Sequence, residues 1–332
     1  MNVTYFLGAG ASCHAIPTYS DKANFIKELE SYMSDISRIN IPDNKNKFLD
    51  MEKARQQLIS NTKWLIDKLD NYNTIDDYAK YLWDSSDPGD RQLYDKLKIT
   101  LSFYLSIRQL QKRPDLRYTS LIAKINNNTG LNPKFKIITW NYDVQFEKSF
   151  FKEKPHLNLD NMHIGIQSYP CSGCSLSFKF DFSRFGKVHL NGIAGFYSAH
   201  GRESKPIIQN LYEEIGPLLF AKCLVEYDYL MEHPTALSGL FSYAWEDNDS
   251  AKKARDYAVS IAKETDQLVI IGYSFPHFNK DIDREIFKNL VKVEKIVIQD
   301  KAPDKIKRVL KDRYGLDSDI ATHDVDEFYV PF

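Results

Sequence analysis

The segment Thr139-Trp-Asn141-Tyr-Asp143 sets an amide and a carboxylate two residues apart at the end of an apolar run that begins at Phe135. Residues two apart on a strand point the same way, and burying such groups without partners is costly. Asn141 is therefore a candidate to hold a ribose hydroxyl or orient a water. Asp143 either supports it or caps the helix expected over Gln145 to Phe151. Lys187-Val-His189-Leu-Asn191-Gly192 supplies a second pair on one strand face. His189 titrates near neutrality and can act as a general base, and Asn191 lies beside it. Gly8-Ala9-Gly10-Ala11-Ser12 follows the apolar Val3 to Leu7. It either presents backbone N–H groups to a diphosphate or makes an ordinary strand–helix turn. The third glycine of the dinucleotide fingerprint is absent, because position 13 is Cys13, and no acidic strand end follows some twenty residues on. Ile271-Gly272-Tyr-Ser274-Phe275 leaves another apolar run through a glycine and a hydroxyl, suited to a ribose or phosphate and equally to a turn.

Cys171 and Cys174 have half the spacing of a zinc ribbon, and His163 could assist them. The remaining cysteines, Cys13 and Cys223, stand alone, so no metal is expected.

These residues need elements to bring them together. Val3–Leu7, Phe135–Asn141, Lys187–Gly192, Gln267–Gly272 and Lys295–Asp300 read as short buried strands, with helical spacing between several of them. Alternating strands and helices predict an α/β fold: a Rossmann-like parallel sheet flanked by helices. Ligands of open parallel sheets bind beyond the carboxyl ends of the strands, which gathers the segments above, with Asp300, onto one rim. From Asp21 onward the apolar residues recur at helical offsets for about a hundred residues. The expected organisation is therefore a sheet domain over 1–20 and 130–332, interrupted by a mostly helical insertion over 21–129.

Of 332 residues, 43% are hydrophobic and 27% charged, enough for a real core under a solvated surface. Lys+Arg 44 against Asp+Glu 45 leaves a net charge of −1, so no global field draws the chain to nucleic acid or an anionic membrane. The N-terminal residues lack the basic and long apolar regions of a secretory signal, and no stretch of about 18 apolar residues occurs. Four cysteines in this length make no disulfide framework. A cytoplasmic protein is expected.

Taken in order, the rim segments resemble the sirtuin-like, NAD-consuming family. The family's first turn is similar to Gly8-Ala-Gly-Ala-Ser12 followed by Ile16-Pro17, its central strand end to Thr139-Trp-Asn141-Tyr-Asp143, and its later strand to Ile271-Gly272-Tyr-Ser274-Phe275. The resemblance implies a Rossmann-like domain binding NAD, closest to the bacterial antiphage-defence branch, whose members hydrolyse NAD to nicotinamide and ADP-ribose. It implies roles as well. Gly8 to Ser12, with Pro17, would cradle the diphosphate, Gly272 and Ser274 would hold the adenosine ribose, and Asp300 would accept from an adenosine hydroxyl. Asn141, supported by Asp143, would place the water or a ribose hydroxyl. The family carries its catalytic histidine directly before a glycine; here Asn191 holds that position, with His189 one pleat back as the base and Asn191 against the ribose. Control by a homo-oligomer, or by a partner defence protein such as an ATPase, is expected. Two other readings are a non-catalytic NAD or ADP-ribose sensor and, against the incomplete cysteine set, an NAD-dependent protein deacylase.

Overall fold

A run such as Gln267-Leu-Val-Ile-Ile271 has no polar side to offer to water, so it must be covered on both faces, as strands of parallel sheets are. The computed structural model describes all residues except 19–20, 43–49, 128–129, 155, 172–177, 199–203, 209, 212–213, 238–239 and 332. Seven strands pair in parallel: β1 (Val3–Leu7), β4 (Phe135–Thr139), β5 (Ser168–Tyr169), β6 (Gly186–His189), β9 (Gln267–Ile271), β10 (Lys295–Gln299) and β11 (Ile320–Thr322). Their spatial order is β11-β10-β9-β1-β4-β6-β5. Two antiparallel ribbons lie outside this sheet, β2 (Asn126–Asn127) with β3 (Gly130–Leu131), and β7 (Phe196–Ser198) with β8 (Ser204–Pro206). The fold is the Rossmann-like α/β architecture that the strand–helix alternation predicts.

Alternation along the strands builds two apolar layers. Val3, Tyr5 and Leu7 face one side with Ile137, Val269 and Val297, under α5 (Leu116–Ile125) and α6 (Gln145–Glu153). Phe6, Ile138, Val188 and Ile270 face the other, under α9 (Asp249–Lys263), α10 (Lys280–Phe287) and α11 (Pro303–Tyr314). The register levels the strand ends: Leu7 pairs with both Thr139 and Ile271, and Thr139 with His189. The residues that follow these strands therefore emerge side by side.

The helical bundle comprises α1 (Lys22–Arg38), α2 (Met51–Leu69), α3 (Ile75–Asp84) and α4 (Pro88–Gln111), joined by α8 (Pro217–Glu232); α7 (Leu159–Ile166) packs by the sheet against α6. Helix α4 starts at Pro88, capped by Asp87, and is buried on every side from Leu97 to Gln109. The bundle is not coextensive with the 21–129 segment. Helix α5 lies within that segment but packs on the sheet, and α8 lies outside it but fills the bundle core. Segment Phe241 to Glu246 joins the bundle to the sheet: Glu246 pairs with buried Lys98 of α4 at 2.8 Å, and the Ser242 carbonyl accepts from Tyr142 at 2.7 Å. Among the described residues no helix is long and apolar enough to cross a membrane.

Candidate functional site

At the rim, the turn after β1 crosses the turn after β9 backbone to backbone. Gly10 donates its N–H to the Gly272 carbonyl at 2.9 Å, and Gly8 to Ile271 at 3.0 Å. A Cβ on Gly8 would lie 2.6 Å from the Gly272 carbonyl oxygen. These glycines are thus demanded by the crossing itself. The N–H groups of Gly8, Gly10 and Ala11 go to protein carbonyls, so these three are not open to the diphosphate that the turn from Gly8 to Ser12 was expected to cradle. Buried Arg117 of α5 holds the turn from behind, donating to the carbonyls of Gly10 at 3.3 Å and Ala11 at 3.1 Å while paired with Asp115.

Asn141 leans over this turn. Its Nδ2 donates to the Gly8 carbonyl at 2.9 Å and lies 3.4 Å from Ser12 Oγ. That fixes the amide and leaves Oδ1, which makes no hydrogen bond among the described residues, as its remaining acceptor. Ser12 is buried and shares a 3.1 Å hydrogen bond with Tyr118 of α5. Asp143 accepts from the Gln145 N–H at 3.0 Å, one residue ahead of Val144, the N-cap of α6. Burial also raises its carboxyl pKa, with the Ser12 hydroxyl and Lys187 opposing the rise. Gly8, Gly10, Ser12, Asn141, Asp143 and Gly272 therefore meet in one cluster.

His189 does not reach the open side of that cluster. Strand alternation turns Lys187 and His189 toward α6, where the chain places Glu147. The imidazole is fully buried: Nδ1 lies 2.9 Å from the Asn141 carbonyl and Nε2 lies 3.3 Å from Glu147 Oε1. A carbonyl only accepts, so Nδ1 carries a proton. Burial, joined by nearby Lys187, lowers the His189 pKa against the pull of Glu147. Burial alone would raise Glu147, but its 2.7 Å pair with Lys187 and the adjacent imidazole outweigh that and hold it well below the usual range. With Nδ1 spent on the Asn141 carbonyl, Nε2 turned toward Glu147 and no exposed surface, the expectation of His189 as the base at the rim is corrected: it meets the site through the Asn141 backbone.

Asn191 fares differently. It is 8% exposed and its Nδ2 donates to Tyr142 Oη at 3.3 Å, while its buried Oδ1 has no partner among the described residues. Tyr142 gives its own proton to the Ser242 carbonyl, so it can only accept from Asn191, which fixes the amide orientation. Of the other expected residues, Ala9 and Ser274 are exposed and Pro17 is half-buried on the loop beyond Ser12. Asp300 spends its carboxylate on the N–H of Ala302, a local turn before α11, rather than aiming it at the cluster. A cavity of about 840 Å³ opens behind the β1 turn, lined by His14, Asp115, Arg117, Ser120 and Lys152 among others, and not by Gly10, Asn141, His189 or Ser274.

Four residues of this site lay beyond the sequence reading. Lys187 and Glu147 carry a signal, since Lys187 shares the His189 face and Glu147 lies in the first turn of the helix that follows the β4 strand end. Arg117 and Tyr118 carry none, because they sit among helical residues far along the chain from Gly8. Of the cysteine pair, Cys174 lies outside the described residues. Among the described residues no group of three or more His, Cys, Asp or Glu could hold a metal.

His163, on α7, is fully buried against Phe196 with neither ring nitrogen partnered among the described residues. Burial drags its pKa from 6.5 to about 3. The unfolded chain therefore takes up a proton below pH 6.5 that the folded chain refuses until about 3, and stability falls with pH over that window. His163→Phe keeps the stacked ring and removes this proton. It should outlast the wild type in urea by about 3 kcal/mol more at pH 4 than at pH 7. An identical pH dependence for both proteins would contradict the burial of an unpaired imidazole.

Comparison with known proteins adds little beyond shape. No family model matches the chain, and no curated protein matches it. Among solved structures, a Sir2 homologue in complex with ADP-ribose aligns over 98% of this chain and 86% of its own, at 11% identity and a TM-score of 0.44. A Sir2 homologue–NAD complex aligns over 98% and 84%, at 12% identity and a TM-score of 0.43. Another Sir2 enzyme structure aligns over 98% and 87%, at 10% identity and a TM-score of 0.40. Likeness at this level assigns the chain to no family and transfers none of those ligands to it.

Proposed function

We propose that the rim formed by the ends of β1, β4, β6 and β9 binds NAD, and that the chain hydrolyses it to nicotinamide and ADP-ribose. Asn141 supports this reading best. Its Nδ2 is pinned on Gly8 and its Oδ1 remains to receive a ribose hydroxyl or a water. Asn191 adds a second buried amide oxygen without a partner among the described residues, suited to the same kind of donor. Cleavage of the nicotinamide–ribose bond passes through an oxocarbenium-like state. The bond's electron pair leaves with nicotinamide, water adds to the ribose carbon, and the water loses one proton. His189 is enclosed, so Asp143 is the rim group assigned to receive that proton. Gly272 and Ser274 lie against the adenosine side. Constant NAD loss would be toxic, which fits an antiphage effector governed by self-assembly or a partner ATPase acting on the α1–α4 bundle.

A second reading, NAD or ADP-ribose binding without cleavage, is favoured by the enclosure of His189. Calorimetry with NAD, beside chromatographic measurement of nicotinamide and ADP-ribose, separates the two. Binding with equimolar release of both products is the expected result. Binding with NAD intact for hours would move the protein to the sensor reading. Release only with an acylated peptide would make it a deacylase, and absence of NAD binding would overturn the assignment of the rim.

A further inference from the structure

Trp140 and Tyr273 are the chain neighbours of Asn141 and Gly272. Trp140 follows the alternation of β4 into the layer under α10, and Tyr273 enters the same layer after the left-handed turn at Gly272, φ +59°. There they converge on one carboxyl group. Asp283 Oδ1 accepts from Trp140 Nε1 at 3.0 Å, and Oδ2 accepts from the Tyr273 hydroxyl at 2.7 Å. Tyr314 makes a longer contact to Oδ2 at 3.5 Å, and Asn279 steadies the Tyr273 hydroxyl from its far side at 3.0 Å. The Trp140 and Tyr273 rings lie nearly parallel, 11° apart with centroids 6.3 Å apart.

Asp283 is fully buried and makes no ion pair among the described residues; Arg313 is the cation that faces it, and that side chain donates to the Phe275 carbonyl. Burial pushes the Asp283 carboxyl up to about 7, against its donors. A leucine would fill this place at less cost. What the carboxyl supplies is two acceptor oxygens, one for each strand end.

We propose that Asp283 is a positioning residue for the NAD site, holding the ends of β4 and β9 at a fixed separation through Trp140 and Tyr273. The inference rests on reading the rim as that site. Asparagine at 283 has a single acceptor oxygen, so it can serve one arm and must leave the other.

The test uses the full chain at pH 8, with the Kd for NAD and the indole Nε1–H resonance of Trp140, assigned by its loss in Trp140→Phe. Asp283→Asn, Trp140→Phe and Tyr273→Phe should each raise the Kd tenfold or more while the proteins stay folded. Tyr314→Phe, which removes only the long contact, should change it less than twofold. The indole resonance should move upfield in Asp283→Asn. A shifted indole with an unchanged Kd would show a purely structural carboxyl and overturn the proposal. If Asp283→Asn does not fold, the two aromatic variants decide by the same criterion. If the wild type itself fails to bind NAD, the site reading falls and this inference with it, and the indole shift then tells whether the clamp exists apart from any ligand.

Discussion

Alanine at Gly272 should destabilise the protein by more than about 3 kcal/mol, the range reserved for substitutions that force backbones apart. Two costs combine there. The residue has φ +59°, where an L side chain is strained, and its Cβ would lie 2.5 Å from Ala11 N and from Gly10 Cα and C. These neighbours are backbone atoms of the adjoining turn, so no rotamer change relieves them. Gly315, at the carboxyl end of α11, separates the terms. It has φ +69° and nothing within 4 Å of an added Cβ, so Gly315→Ala should cost only about 1–2 kcal/mol of conformational strain. Urea denaturation of both variants measures the difference directly. Equal losses would mean that the turns after β1 and β9 do not cross as described, and the proposed site would lose its floor.

The second large effect is on NAD itself. Asn141→Ala removes the side chain that caps the Gly8 carbonyl and with it an Oδ1 that makes no hydrogen bond among the described residues. Turnover, or affinity if the protein only binds, should fall by about a hundredfold or more, in line with losing a preorganised polar contact in a buried site. His189→Gln should lose less than about tenfold in kcat, because the imidazole meets the site only through the Asn141 carbonyl. Removing a true general base costs about 10²–10⁴-fold. Measuring kcat, KM and melting temperature for both variants distinguishes these cases. A thousandfold loss in a well-folded His189→Gln, with KM unchanged, would restore the histidine as base and would require its ring to turn from Glu147 toward the rim.

Five of the seven strands of the sheet, their parallel character and the rim at their carboxyl ends were legible from residue types alone, whereas the short edge strands β5 and β11 and the spatial order were not. Apolar runs without a polar face, each closing on glycine or a small polar residue, admit few other arrangements. Asp143 illustrates the boundary, since its bond to the Gln145 N–H is local and could be read from spacing. The enclosure of His189 was not legible. Its ring direction depends on Glu147 and Lys187 filling the space beneath α6, and a strand pattern gives only the face on which a side chain stands. The glycines likewise signalled a tight turn, yet the need for them comes from another turn more than two hundred and fifty residues away.

Local chemistry thus settled which elements form and which ends carry polar groups, because hydrophobic periodicity and turn propensity act over a few residues. Tertiary packing alone decided which of those groups remain open. Arg117 reaches Gly10 across 107 positions and Asp283 reaches Trp140 across 143. Such partners are chosen by where helices come to rest on the sheet, and in a close-packed interior that choice determines whether a nitrogen or oxygen is spent on the protein or left for a ligand.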